Sequence, residues 1–127
     1  MLYWCQNNLL AGEAPVQKEG TMVRVIIEHQ AKNPKDAKQV IAIIHEIRDE
    51  IMKRPGYITG ETLINTEDEC NIIVISTWHY AENWKEWEKS EACLKLTGKE
   101  VPFLAKPLSY RTYQYYMVRE KRVWSTH

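Results

Sequence analysis

Cysteine is scarce in this chain of 127 residues, with three in all: Cys5, Cys70 and Cys93. An odd number without Cys-x-x-Cys spacing argues against a disulfide scaffold and against a zinc site. Long apolar runs are missing too, and none approaches the roughly 18 residues of a membrane-spanning helix. Neither sign of charge is in excess, because 17 basic residues are interspersed with 17 acidic ones. That balance leaves no electrostatic footprint for nucleic acid or an anionic membrane. Internal repeats, low-complexity segments, a Gly-rich phosphate loop, a Ser/His/Asp constellation and an evident pair of carboxylates are all lacking. The opening stretch MLYWCQNNLLAGEAP has no basic start and its apolar run is broken by Gln6-Asn7-Asn8, so it does not read as a signal peptide. These absences leave a single-domain protein of a reducing cytoplasm as the expectation.

What is present is enough apolar material for one core: 44% hydrophobic residues against 27% charged, ordinary for a globular domain. A domain this small buries only about two-thirds of its unfolded surface, so pairing with a second copy would help it. Residues 1–21 lack sustained periodicity and read as an N-terminal extension, with Met22 placed where translation would start if the extension were absent.

From Val23 to Gln30, Val23, Val25, Ile27 and His29 alternate with Arg24, Ile26, Glu28 and Gln30, the pattern of a strand with one mainly apolar face. Asn33-Pro34 supplies a cap and a first helical residue. Ala37, Val40, Ile41, Ile44, Ile47 and Ile51 then recur at helical spacing, and Pro55-Gly56 ends the helix. Tyr57 to Ile64 and Ile72 to Trp78 read as a hairpin joined by a longish polar loop over 65–71. Ala81 to Lys89 is a short helix, and Ser90 caps a second helical piece reaching about Gly98. Leu108 to Tyr116 is the fourth strand, and 117–127 is a charged tail carrying Trp124. The order β-α-β-β-α-β predicts an α+β, ferredoxin-like domain: a four-stranded antiparallel sheet with helices on one face. The other face carries apolar and aromatic side chains and needs a partner, which predicts a homodimer built through the sheets. The tail, with Trp124 among Arg119, Lys121 and Arg122, is expected to reach across to that partner.

The stretches RPGYITGETL (54–63) and VISTWHYAENWKEWEKS (74–90) resemble the antibiotic biosynthesis monooxygenase (ABM) domain family. The features that carry the resemblance are Pro55-Gly56 after the first helix, Ser76-Thr77-Trp78 closing the third strand, and the tryptophan helix that follows. The resemblance covers roughly residues 22–116. It implies a dimeric α/β-barrel with a pocket between helices and sheet in each subunit, and quinol or phenol oxygenation without metal or flavin. One branch of this superfamily degrades haem with an Asn on the first strand, a Trp on the third and a His on the later helix. Trp78 sits at the Trp position and His29 where that branch carries Asn. The helix from Ser90 to Gly98 holds no histidine, so the iron ligand is missing and haem degradation is disfavoured.

Two readings stand for each residue singled out. Trp78 is either a packing residue or a flat wall for an aromatic substrate. His29 is either a satisfied structural histidine or a general base for a phenolic proton; as the base it stands with Trp78 as a catalytic candidate. Trp84 and Trp87, three apart on one helical face, are either a buried stripe or substrate contacts. His79 and Tyr80 are either exposed corner residues or the pocket mouth. The favoured function is a cofactor-independent monooxygenase acting with O2 on a small phenol- or quinol-type aromatic, with no metal. The alternative is a binding or stress-associated protein of the same fold that does no chemistry.

Overall fold

The alternating run from Val23 forms strand β1 (Val23–Gln30) in the computed structural model, which describes residues 21–116. Helix α1 (Pro34–Ile51), strands β2 (Tyr57–Asn65) and β3 (Asp68–Trp78), and helices α2 (Ala81–Glu88) and α3 (Glu91–Glu100) follow. A 3-10 turn (Val101–Phe103) then leads to β4 (Ser109–Gln114). The strands lie in the order β2-β3-β1-β4, all pairs antiparallel, which is the expected ferredoxin-like α+β arrangement. The expected tail, and all of the extension but Thr21, lie outside the described residues.

Register decides which face each side chain joins, since a shift of one residue would turn every side chain over. Pairing of Val23 with Trp78, Val25 with Ser76 and His29 with Ile72 puts six buried residues under the helices. Pairing of Ile26 with Ile75 and Glu28 with Ile73 puts those four on the open face. The helices seat where the sequence marks them. Asn33 Oδ1 accepts the Asp36 backbone N–H at 2.8 Å, and Ser90 Oγ accepts that of Cys93 at 3.1 Å, each satisfying an orphan donor of a first turn. Gly56 has φ +83, and a Cβ there would collide with the Asn83 side chain. This close approach lets the start of β2 meet the β3–α2 corner, where His79 N–H donates to Gly56 C=O at 2.8 Å.

Two elements differ from the sequence expectation. The polar stretch 65–71 is mostly strand, and only Thr66 and Glu67 remain between β2 and β3. Asn65 Oδ1 accepts from the Glu67 N–H at 2.7 Å and Asp68 Oδ1 from that of Cys70 at 3.0 Å, so turn-forming side chains close the hairpin tightly. Helix α3 also continues past Gly98 to Glu100, although glycine inside a helix costs about 1 kcal/mol relative to alanine. The segment after it is tied to the end of β1: Ala105 N–H donates to Gln30 C=O at 2.7 Å and Lys32 N–H to Phe103 C=O at 3.0 Å.

The core consists of two clusters. One joins Val23, Val25, Ile51, Trp78, Trp84, Trp87 and Cys93. The other joins Ala31, Ala37, Val40, Ile44, Ile72 and Leu104. No helix among the described residues is long and apolar enough to cross a membrane.

Candidate functional site

A cavity opens between the sheet and the helices, with walls drawn from both clusters: Ile51, Trp84, Trp87 and Cys93 from the first, Ile44 from the second. Its free volume, counted as space open to the centre of a water molecule, is about 50 Å³. A single water needs roughly 10–15 Å³ on that measure, so the space holds several waters or one small ring.

Inside this largely apolar wall sits one buried ionisable pair. His29 Nδ1 lies 2.7 Å from Glu100 Oε1, and their side chains are only 3% and 0% exposed. His29 points under the helices because it continues the inward alternation of Val23, Val25 and Ile27. Glu100 is brought to it by the length of α3 and by the ties that hold the 101–105 segment against the end of β1. A carboxylate at a helix C-terminus opposes the helix dipole, so the imidazole is its main local compensation. Neither His29 Nε2 nor Glu100 Oε2 has a protein partner, and both atoms are buried. Most buried polar atoms are satisfied, which makes two orphans on one hydrogen-bonded pair the least ordinary feature of the fold.

The remaining groups around the cavity are held protonated. Burial pushes the Tyr110 phenol up to about 12, with the Cys93 thiol nearby adding to the rise. Tyr110 is 41% exposed as a residue, since β4 is an edge strand, so it is the hydroxyl end that burial affects. The Cys93 thiol is pushed up to about 11 by burial and then by Glu88. Burial also raises Tyr57, against the opposing pull of the Arg48 guanidinium. Arg48 itself donates to Thr62 Oγ1 at 2.9 Å. Near neutral pH, then, these phenols and the thiol are hydrogen-bond donors rather than bases.

His29, Trp84 and Trp87 line the cavity. Trp78 is fully buried behind it: its Nε1–H donates to Ser76 Oγ at 3.0 Å. Its ring meets those of Tyr57 and Trp84 edge-on at 5.5 and 5.9 Å. Trp84 therefore stands between Trp78 and the open space. The Arg54 guanidinium covers the Trp87 ring at 4.9 Å. His79 and Tyr80 are exposed at the β3–α2 corner, with ring centroids 6.1 Å apart, and neither lines the cavity. Sequence reasoning missed Glu100 altogether. In the sequence Glu100 lies two positions beyond the expected helix end at Gly98, and only the helix that continues through Gly98 places this acid against the dipole at its last turn. Among the described residues, no three His, Cys, Asp or Glu side chains gather as a metal site.

A family model described as antibiotic biosynthesis monooxygenase matches residues 22–97 of the chain. Among solved structures, SnoaB from Streptomyces nogalater, a cofactor-independent oxygenase, superposes with a TM-score of 0.66 at 8% identity, covering 79% of this chain and 98% of its own. A conserved protein from Methanosarcina mazei Go1 gives 0.68 at 15% identity, covering 75% and 93%. A conserved protein of unknown function from Bacteroides thetaiotaomicron gives 0.68 at 17%, covering 76% and 99%. At these identities the structural likeness is one of fold. No curated protein matches the chain.

Proposed function

Because this chain belongs to the antibiotic biosynthesis monooxygenase family, we propose that it oxidises a small phenol- or quinol-type aromatic with O2, using no metal or flavin. The observation that carries this reading is the unpaired Nε2 of His29 in an apolar, tryptophan-walled cavity, backed by Glu100 at 2.7 Å. With Glu100 as carboxylate, Nδ1–H donates to it and Nε2 is left free to accept a phenolic proton. Glu100 then stabilises the imidazolium through the same bond, in the way a buried carboxylate orients and supports a catalytic histidine. The phenolate is electron-rich enough to reduce O2 by one electron, and recombination forms a C–O bond at a ring carbon that bears hydrogen. Loss of water from the resulting peroxide gives the quinone. A phenol and one O2 thus become a quinone and one water, with no outside reductant. Trp84 and Trp87 hold the ring, and the apolar wall keeps bulk water from the anion.

Oxygen uptake and ¹⁸O2 incorporation with a panel of phenols and quinols test this reading. His29→Ala is expected to lower turnover by about 10²-fold or more, the usual scale of general-base catalysis, while the thermal unfolding curve persists. Turnover unchanged in that variant removes His29 from the mechanism. The small volume of the cavity favours a second reading, a binding or stress-associated protein without chemistry, and saturable binding with no oxygen uptake would decide for it.

The unit of function is taken to be residues 22–116 in a homodimer, in a cytoplasm that keeps Cys70 and Cys93 as the free thiols they are here. The open sheet face carries Ile26, Ile73 and Ile75 at its centre, with Leu63 and Tyr113 exposed towards its edges. Two such faces back to back would bury the roughly 800 Å² per subunit of a stable interface. Analytical ultracentrifugation at micromolar concentration checks it, and a monomer there removes the dimer.

A further inference from the structure

The cavity has a second polar wall, on its β2 side, that the proposed mechanism does not use. Arg48 of α1 is the one lysine or arginine among the lining residues. It is half-buried, and its Nη2–H donates to Thr62 Oγ1 at 2.9 Å. Among the described residues it forms no ion pair with a carboxylate. A guanidinium carries five N–H donors in a fixed fork. One bond to a neutral hydroxyl does little to offset the cost of drawing a charge part-way out of water. The register shift between Tyr57 and Thr59 sets Tyr57, Gly60 and Thr62 opposite Trp78, Ser76 and Val74, on the helix-covered face. Gly60 makes room there, since a Cβ would collide with the Tyr57 hydroxyl. Burial raises the pKa of that phenol while the Arg48 charge pulls the other way, so near neutral pH it is a hydrogen-bond donor. The carboxylate of the cavity, Glu100, is engaged by His29 of β1. Strand β3 lies between β1 and β2, so two strand spacings, about 10 Å, separate the strands that anchor the two charges. The free donors of Arg48 are left to something that enters the cavity.

We infer that the ligand of this cavity is an aromatic acid, whose carboxylate is received by the Arg48 guanidinium with the Tyr57 hydroxyl as a further donor. This deepens the proposed function, on which it rests for the aromatic body of the ligand, and adds a charge requirement to it. A planar guanidinium matches a carboxylate through two parallel N–H bonds, so Arg48 selects and orients the acid and takes no part in proton transfer. Trp84, Trp87 and Ile47 offer the flat and aliphatic surface that suits the ring. The competing use of Arg48 is a tie between α1 and β2 and nothing more. Such a tie would give no preference for an acid over its uncharged counterpart.

The test is anaerobic isothermal titration of the full chain, at neutral pH, with meta- and para-hydroxybenzoate and the matching hydroxybenzamides. The amides keep the ring and the phenol and lose the charge. At least one acid is expected to bind about tenfold or more tightly than its amide, the scale of a hydrogen bond between charged groups. A smaller ratio in both pairs, or no saturable binding by any of the four compounds, overturns the inference. Arg48→Gln sharpens it, because the side-chain amide can still donate to Thr62 while the charge is gone. The acid preference is expected to disappear in that variant, and Arg48→Lys, a charge without the fork, should retain part of it. A folded Arg48→Gln protein that keeps the acid preference also overturns the inference; if circular dichroism shows it unfolded, the wild-type series decides alone. Oxygen uptake separates this result from the oxygenase reading. A strong acid preference without uptake sinks the oxygenase and leaves the acid site, whereas uptake with acid and amide bound equally does the reverse.

Discussion

The Trp78 end and the His29 end of the buried layer obey opposite rules. At the Trp78 end the indole N–H is bonded to Ser76 and the ring is met edge-on by Tyr57 and Trp84. Such aromatic pairs add about 0.5–1.5 kcal/mol each beyond the area they bury. At the other end, on the same strand face, His29 and Glu100 satisfy one atom of each and leave the others bare. Each bare atom costs about 1–3 kcal/mol. The contrast separates two kinds of conspicuous residue. A tryptophan with its N–H bonded packs the core behind the cavity, whereas two unmet atoms on one hydrogen-bonded pair among the cavity residues stand apart from the single unmet atoms of Arg24 and Asn83, which lie off the cavity lining.

The largest effect should come from the satisfied end. Trp78→Ala removes a fully buried ring, and such truncations cost about 3–5 kcal/mol, a large part of the roughly 5–15 kcal/mol that holds a small domain together. Urea unfolding followed by circular dichroism is expected to show a midpoint shift of that order. The milder Trp78→Phe should keep ligand binding in the cavity, since Trp84 stands in front of position 78. A Trp78→Phe protein that is folded but no longer binds would place Trp78 in the site and erase the contrast.

The same contrast explains how far the sequence could be read. Period-two alternation in Val23–Gln30, the Asn33-Pro34 start and Ser90 as a cap are local signals, governed by neighbours within a turn or a strand, and the structure places each as expected. The helix-covered face was legible as well, because alternation puts His29 and Trp78 on it whatever the loops do. The tight hairpin was not, since the polar residues 68–71 have little strand preference of their own and are ordered by pairing with β2 and β1. Glu100 was out of reach for a stronger reason. Its partner is 71 residues away, and its position depends on α3 running through Gly98 and on the tie between Ala105 and Gln30. No local pattern announces a contact of that kind.

At the unsatisfied end the prediction is a compensation. Glu100→Leu alone strands the Nδ1–H of His29 and should destabilise by about 1–3 kcal/mol. Adding His29→Leu removes the stranded group. The pair replaced by apolar side chains should recover most of the loss, as buried ion pairs often do when exchanged for hydrocarbon. Chemical denaturation of the two single variants and the double variant forms the cycle. A double variant no more stable than the Glu100→Leu single would mean that the pair is a structural staple and not a site kept open for a ligand, whereas a double equal to the sum of the singles would mean that the two residues are not coupled at all.

The smallest effect tests the donors that surround the pair. The Cys93 thiol is raised from 9.0 to about 11, first by burial and then by Glu88. Its pKa is higher in the folded chain than in the unfolded one, so its contribution is fully present below about pH 9 and is lost as pH rises through the folded value. Between pH 9.0 and about 11 the unfolded state has released this proton while the folded state still holds it, so unfolding becomes progressively easier there. The loss should be on the order of 1 kcal/mol across the window, below the full linkage value because the neighbouring β4 edge admits solvent. Cys93→Ala should flatten this part of the stability-versus-pH curve while shifting its baseline down, since a small buried side chain has been removed. Tyr110 titrates higher, at about 12, and the Cys93 thiol contributes to that rise, so the two curves are compared between pH 9.0 and 10.0, where the thiol has begun to titrate in the unfolded chain and the phenol has not. Identical slopes would mean that Cys93 meets water freely. The cavity wall on the α3 side would then be open, and the apolar setting in which His29 is meant to work would have to be given up.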